Sequence, residues 1–298
     1  MPDRHRARAV AAILAAAALF GTTGTVLVNR PHGADAYSVG CVRLLLGGAT
    51  LLLASVVSGD RAGATAPWRR PHLSSTVLGA AGVAVFQLGY FLAVDRTGVA
   101  VGTVATIGSG PVLSGRITAV RTRRPPRRRW SVGTAVSVAG VALLGLVGRS
   151  TSVDPWGIAL AIAAGFGWAV FATAGKHQID QGVHSTASMA AVFTGGAVLL
   201  APLLLAHSPH WVLGGRGAAV ALYLGVVSVG GAYTLYGFAL RHLPAPTVIT
   251  LTLLEPITAA VLGAAVVHEA IAAPGWLGVT MVLAGLVITA RDTTTVAA

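Results

Sequence analysis

The 298-residue sequence predicts an all-α membrane protein, ten transmembrane helices arranged as two inverted five-helix repeats, and three observations carry that expectation. The first is composition: 54% of residues are hydrophobic and 10% charged, with a mean hydropathy of +0.75, whereas soluble domains are roughly 25% charged. The second is length. Apolar runs recur near the roughly 20 residues that a helix needs to cross about 30 Å of hydrocarbon, without the alternation of barrel strands. The third is an internal echo: a shift of 145 residues lays Arg96 on Arg241, Pro111 on Pro256, Gly133 on Gly278 and Gly140 on Gly285.

The first span is expected at about 9 to 28, where AVAAILAAAALFGTTGTVLV follows the basic RHRAR. That start has the look of a secretory leader, but the run outlasts the usual apolar core of about 7 to 15 residues and reads as a retained helix. Further spans are expected at about 37 to 57, 74 to 94, 99 to 119, 131 to 148, 155 to 175, 184 to 206, 217 to 239, 246 to 267 and 275 to 290. The segment RTRRPPRRR separates the fourth from the fifth, its two prolines ending the helix before them.

Lys and Arg in the connections set the expected orientation. With the N-terminus inside, the inner connections carry fifteen of them, six in RTRRPPRRR alone, and the outer ones carry four: Arg30, Arg96, Arg149 and Arg216. Both termini are therefore expected in the cytoplasm, in the inner membrane, with RTRRPPRRR against anionic lipid headgroups.

The echo divides the chain into residues 1–150 and 151–298, five spans each. An odd number of spans gives the halves opposite orientations, and with one or two residues of slippage Gln87 and Tyr90 fall on Tyr233 and Tyr236. Inverted repeats around one midplane site are a recurrent plan of secondary transporters. With the mid-helix proline in the fourth helix of each half and LLEP, HE, WLGV and AG across the last two helices, the chain resembles the EamA-type members of the drug/metabolite transporter superfamily. The resemblance implies a non-enzymatic transporter that exports a small organic metabolite or drug-like compound. Glu269 matches the glutamate that often closes the fourth helix of a repeat, whereas the first half carries RTRRPPRRR instead.

Glu255 falls near the middle of the ninth span. An ionised carboxylate there costs about 2.5–3.5 kcal/mol on insertion scales, so its side chain is expected to face protein or a wet cavity. Pro256 removes the hydrogen bond to the Thr252 carbonyl, and Pro111 does the same to Ile107; interrupted helices at matching places point to a transporter's site. Gln87 with Tyr90, and Tyr233 with Tyr236, each lie three apart and share a helix face. They are expected to line the cavity with Trp168 and Glu255, with interfacial or packing roles as the alternative for the aromatics. Trp130, Trp156 and Trp276 stand at span ends where aromatic belts belong. Arg43, seven residues into the second span, is expected to snorkel or pair, a substrate carboxylate being the other candidate.

Other chemistries lack support. The net charge of +12 is spread over short connections, with no soluble domain to present it to nucleic acid. No GxxxxGK loop is present for ATP, His268–Glu269 is not HExxH, His207 and His210 have no third metal ligand, and a lone Cys41 excludes an internal disulfide. No cofactor or metal is expected. The expected partners are a small organic substrate, membrane lipids and protons, with a homodimer available through any small-residue face. A non-transporting scaffold or sensor is the alternative reading.

Overall fold

The computed structural model describes residues 2–28, 30–57, 61–146, 154–266 and 273–292, which excludes His268 and Glu269. Among the described residues there is no strand, and nine helices are long and apolar enough to cross a membrane. One of the nine, Arg70–Thr122, is two spans joined at Gly98, so the described residues make ten. In chain order they are α1 (Pro2–Val28), α2 (Ala36–Val57), α3 (70–97), α4 (99–122), α5 (Arg128–Leu146), α6 (Pro155–Asp180), α7 (Ser185–Leu200, extended by a 3₁₀ turn to Leu205), α8 (Gly215–His242), α9 (Ala245–Val266) and α10 (Ala273–Asp292).

Local chemistry starts and stops these helices. Asp35 caps α2 by accepting the backbone N–H groups of Tyr37 and Ser38 at 2.9 and 3.1 Å. Asp154 does the same for α6, accepting from Trp156 just before Pro155, whose missing N–H costs nothing in the first turn. Between α3 and α4 the expected connection over 95–98 shrinks to one residue. Gly98, at φ 78° and ψ 163°, reverses the chain where a side chain would be strained, and the Tyr90 and Thr103 hydroxyls meet at 3.0 Å across the hairpin.

The two halves are intertwined. Helix α6 lies in the groove of the α3–α4 hairpin, where Gly165 meets the α4 backbone at Thr106 and Gly110, and Gly167 meets the α3 backbone at Gly82 and Phe86. In the other half α1 occupies the groove of α8 and α9: Phe20 packs on Tyr233 at 4.9 Å, and Gly21 lies against the Glu255 carbonyl and Thr258. Each half thus lends its first helix to the hairpin of the other.

Helices α2 and α7, and α5 and α10, pair across the pseudo-two-fold axis. At α5–α10 the 145-residue shift maps the contact onto itself. A Cβ on Gly133 would lie 2.8 Å from the Gly285 oxygen, and one on Gly278, its equivalent, 2.7 Å from the Gly140 oxygen. Between them Ser137 Oγ donates to the carbonyl of Val282 at 3.5 Å, two residues that are also 145 apart. Close helix approach through small residues needs no side-chain interdigitation and suits a bilayer.

Two expectations change. Trp156 and Trp276 are exposed, as belt residues should be, but Trp130 is buried, its ring seated on Gly115. Helix α8 is not uniformly α-helical: Tyr223–Gly231, a run with glycines at 225, 230 and 231, winds as a π-helix, a form that recurs at functional sites.

Candidate functional site

Helix α9 is interrupted. Ala245–Leu251 stops at a turn through Thr252 and Leu253, and the helix resumes at Leu254, placing Glu255 in its first turn. Pro256 has no N–H for the Thr252 carbonyl, yet that oxygen is not left free, because the Glu255 N–H donates to it at 2.9 Å. The expected unsatisfied acceptor is therefore corrected: the backbone tightens into an i, i+3 bond, which membrane segments favour over an open carbonyl. The expectation of matched breaks is corrected as well. Pro111 is buried in α4, which continues through it as helix, so only the second half is broken at the matching place.

Gly110, one residue before Pro111, stands at the position of Glu255 in the repeat. Its missing side chain makes room for Trp168, whose Cε3 lies 2.7 Å from where a Cβ would be. Trp168 is buried and faces the interior from α6, in contact with Phe86 on α3 at 5.9 Å between ring centroids. An aromatic wall continues from there: Phe86 to Phe171 at 6.2 Å, Phe171 to Tyr233 and Tyr236 at 6.1 and 6.2 Å, and Phe193 on Tyr233 at 3.9 Å. Tyr90 joins it through Phe86, so the paired residues of α3 and α8 reach one interior region from opposite halves.

The polar members converge on that wall. Glu255 is half-buried, has no side-chain hydrogen bond or ion pair among the described residues, and shares its electrostatic surroundings with Arg43 on α2. Tyr90 and Tyr233 feel both charges. Arg43 Nη2 donates to Gln87 Oε1 at 3.3 Å, while Arg43 Nε and Gln87 Nε2 are buried without acceptors. The site therefore holds a cation and an anion from different helices, spare donors beside the cation, and aromatic faces between.

Arg43 was legible in the sequence as a snorkelling or pairing residue, with a substrate carboxylate as the other candidate; the structure shows it hydrogen-bonded to Gln87 and turned inward. The signal lies in its neighbours. Gly40 and Gly47 flank it at helical spacing and share its face, and both are pressed against protein, Gly40 on Phe91 and Gln87, Gly47 on Val229. A face lined with small residues is a packed face, and an arginine on it cannot reach lipid. Thr103, the partner of Tyr90, carried no comparable signal.

Two surfaces flank the site. At the face of the α1–α2 and α7–α8 connections, His207 Nδ1 lies 3.1 Å from Asp35 Oδ1, Trp211 Nε1 donates to Ser38 Oγ at 3.0 Å, and Arg96 pairs with Asp154 at 3.3 Å. Burial pushes the Asp35 carboxyl up, but hydrogen bonds from Ser38 and Tyr37 and the His207 ring outweigh it and hold the group below the usual carboxylate range. At the opposite, arginine-rich face a cavity of about 440 Å³ opens.

The profile of the EamA-like transporter family matches residues 7–146 and 155–291. A Bacillus subtilis (strain 168) protein described as "Uncharacterized transporter YwfM" is 35% identical over 276 residues, 93% of this chain and 91% of its own length. The threonine/homoserine exporter RhtA of Escherichia coli (strain K12) is 30% identical over 188 residues, 61% of this chain and 60% of that protein. A solved crystal structure aligns over 97% of this chain and 99% of its own with a TM-score of 0.81 at 18% identity, a likeness of fold.

Proposed function

The chain belongs to the EamA-like transporter family, and from that premise we propose a secondary transporter that moves a small zwitterionic metabolite out of the cell by alternating access, in exchange for protons. The observation that carries the reading is the unpaired charge couple: Glu255 and Arg43 face one aromatic-walled region without a direct ion pair between them. A compound with an ammonium and a carboxylate satisfies both. Its carboxylate accepts from Arg43 and the spare Gln87 donor, a charge-assisted contact that a bidentate guanidinium favours, and its ammonium meets Glu255. The name of RhtA, an exporter of amino acids, is consistent with that class of cargo.

Proton coupling follows from competition. A lone carboxylate in the hydrocarbon depth is costly, so Glu255 is stabilised by either a proton or a cationic group. A substrate ammonium and a proton then occupy the same carboxylate in turn, which is the requirement for exchange. Gln87, Tyr90, Trp168, Tyr233 and Tyr236 form the walls, and the break before Pro256 lets α9 hinge while α4 runs unbroken through the equivalent Pro111. The proposed orientation puts both termini in the cytoplasm of the inner membrane, and the proposed repeat boundary is 150/151.

The test is flux in proteoliposomes for a panel of amino acids, their decarboxylated amines and drug-like cations, with and without a pH gradient. A zwitterion moved several-fold faster under the gradient, with that stimulation lost in Glu255→Gln, is the expected result. Arg43→Gln should cost amino acids far more than the matching amines. Equal flux of acid and amine in the wild type would remove the zwitterion reading, and gradient-independent flux would remove the coupling.

A further inference from the structure

Two contacts tie the start of α2 to the connection after α7. In one, Trp211 Nε1 donates to Ser38 Oγ at 3.0 Å, and Ser38 Oγ in turn donates to the Asp35 carbonyl at 3.1 Å. Trp211 and Ser38 are both buried and neither changes charge, so this tie does not respond to pH. In the other, His207 Nδ1 lies 3.1 Å from Asp35 Oδ1, and the same ring packs beside Tyr37 at 4.6 Å between centroids and 32° between planes. Asp35 Oδ1 is also the oxygen that caps α2, so one carboxylate serves the helix start and the contact across to His207. The two side chains are 34% and 40% exposed, which leaves the imidazole open to protons from solvent.

Resting on the proposed alternating access, but not on its cargo or on Glu255, we infer that His207 is a proton-strengthened latch. Acidity at this face, the outer one in the proposed orientation, holds the face closed, and alkalinity loosens it. A neutral imidazole donates to Asp35 only as its Nδ1–H tautomer, whereas an imidazolium always carries that proton and adds a full charge to the bond. The protonated ring also becomes a cation beside Tyr37, inside the roughly 6 Å over which cation–π contacts act. Both contacts gain when the ring takes a proton, and histidine is the side chain suited to change charge between about pH 5 and 8. The Asp35 carboxyl, held below the usual carboxylate range, is ionised throughout that window. The added hold is therefore present when His207 is protonated and is lost as pH rises and the ring becomes neutral. Other charges near the contact do not reverse this. Asp95 in the α3–α4 hairpin adds negative charge near Tyr37, and Arg96 is taken up by Asp154 at 3.3 Å. Arg30, His32, His210 and Arg216, on and beside the flanking connections, are exposed, where salt screens them.

The test reads a distance in the full-length chain in nanodiscs, with the same pH on both sides. Spin labels are placed at Ala36→Cys and Leu213→Cys, exposed positions on the two sides of the contact, with the buried Cys41 changed to Ser. Double electron–electron resonance then gives the ratio of short to long separations at about pH 5.5 and about pH 8. For a partly exposed pair the ratio should be about threefold higher at the acid pH. His207→Gln, which keeps a neutral donor, should show the alkaline ratio at both pH values, and His207→Arg, a permanent cation, the acid ratio at both. Tyr37→Leu, which removes the ring, should shrink the shift without abolishing it. A wild-type ratio that does not move with pH, or a pH response retained in His207→Gln, would overturn the latch. One short separation in every variant at both pH values would overturn it together with the opening of this face. Because the readout is not flux, failure of zwitterion exchange or of proton coupling at Glu255 leaves the latch standing.

Discussion

Gly110 shows how one missing methyl group shapes the site. The first half has Gly-Pro where the second has Glu-Pro, and the vacated space is filled by the Trp168 ring. Gly110→Ala would place a methyl group 2.7 Å from Trp168 Cε3, an overpacking expected to cost about 1–3 kcal/mol. A fall in Tm, partly recovered by adding Trp168→Leu, checks it; an unchanged Tm would mean that the indole is free to move. Asp35 acts at the other end of the molecule. Asp35→Ala removes the cap of α2 and is expected to cost about 0.5–2 kcal/mol. Because the Asp35 carboxyl is held below its usual range, its contribution is present above the ordinary aspartate value of about 3.9 and is lost as pH falls through the lower folded value. The wild-type and Asp35→Ala Tm difference should therefore be present at about pH 5 and shrink as pH falls below about 3.9, and a difference undiminished at about pH 2 would assign the effect to another group. Sequence made Glu255 legible because a charge in an apolar run stands out. It left Arg43 ambiguous, because distance from a span end does not say which way a side chain points; only the glycines around it do.

At the scale of helices, span number and length were readable because the bilayer fixes them, and the 145-residue echo was readable because the α5–α10 crossing demands small residues at equivalent places. Their equivalence has a consequence. Gly133 and Gly278 each face a backbone carbonyl of the partner helix at 2.8 and 2.7 Å from an added Cβ, so Gly133→Ala and Gly278→Ala should lower Tm by similar amounts. Strongly unequal losses would show that the crossing is not symmetric in energy. What the sequence did not carry is which helix neighbours which. An apolar run gives no address for its partner, so the exchange of α1 and α6 between hairpins was hidden. The break in α9 without one in α4 was hidden too, since Pro111 and Pro256 look alike on paper; the difference is set by what surrounds each, Gly110 under Trp168 against Glu255 beside α1. The π segment of α8 has only its glycines as a hint, and these fit close packing equally well.

The exchange of first helices changes what moves in the whole molecule. The sequence halves cannot separate, because α6 is lodged in the α3–α4 hairpin and α1 in the α8–α9 groove. By packing, the units of the proposed alternation are instead α3, α4 and α6 against α8, α9 and α1, with the α2–α7 and α5–α10 pairs between them. At one face the start of α2 and the α7–α8 connection are joined by His207 on Asp35 and by Trp211 on Ser38, while the opposite face holds the 440 Å³ cavity. In the proposed alternation the Asp35–His207 contact, which bridges the start of α2 and the connection after α7, is expected to part when this face opens. Asp35→Cys with His207→Cys should therefore form a disulfide that stops flux under oxidant and releases it under reductant. The native Cys41 is 3% exposed and buried within α2, so it does not compete for the bridge. Flux that fell to background when oxidised and returned several-fold on reduction would make the opening of this face part of the cycle. Undiminished flux with the bridge verified by mass spectrometry would show that cargo leaves by another route, and that this contact does not part in the cycle.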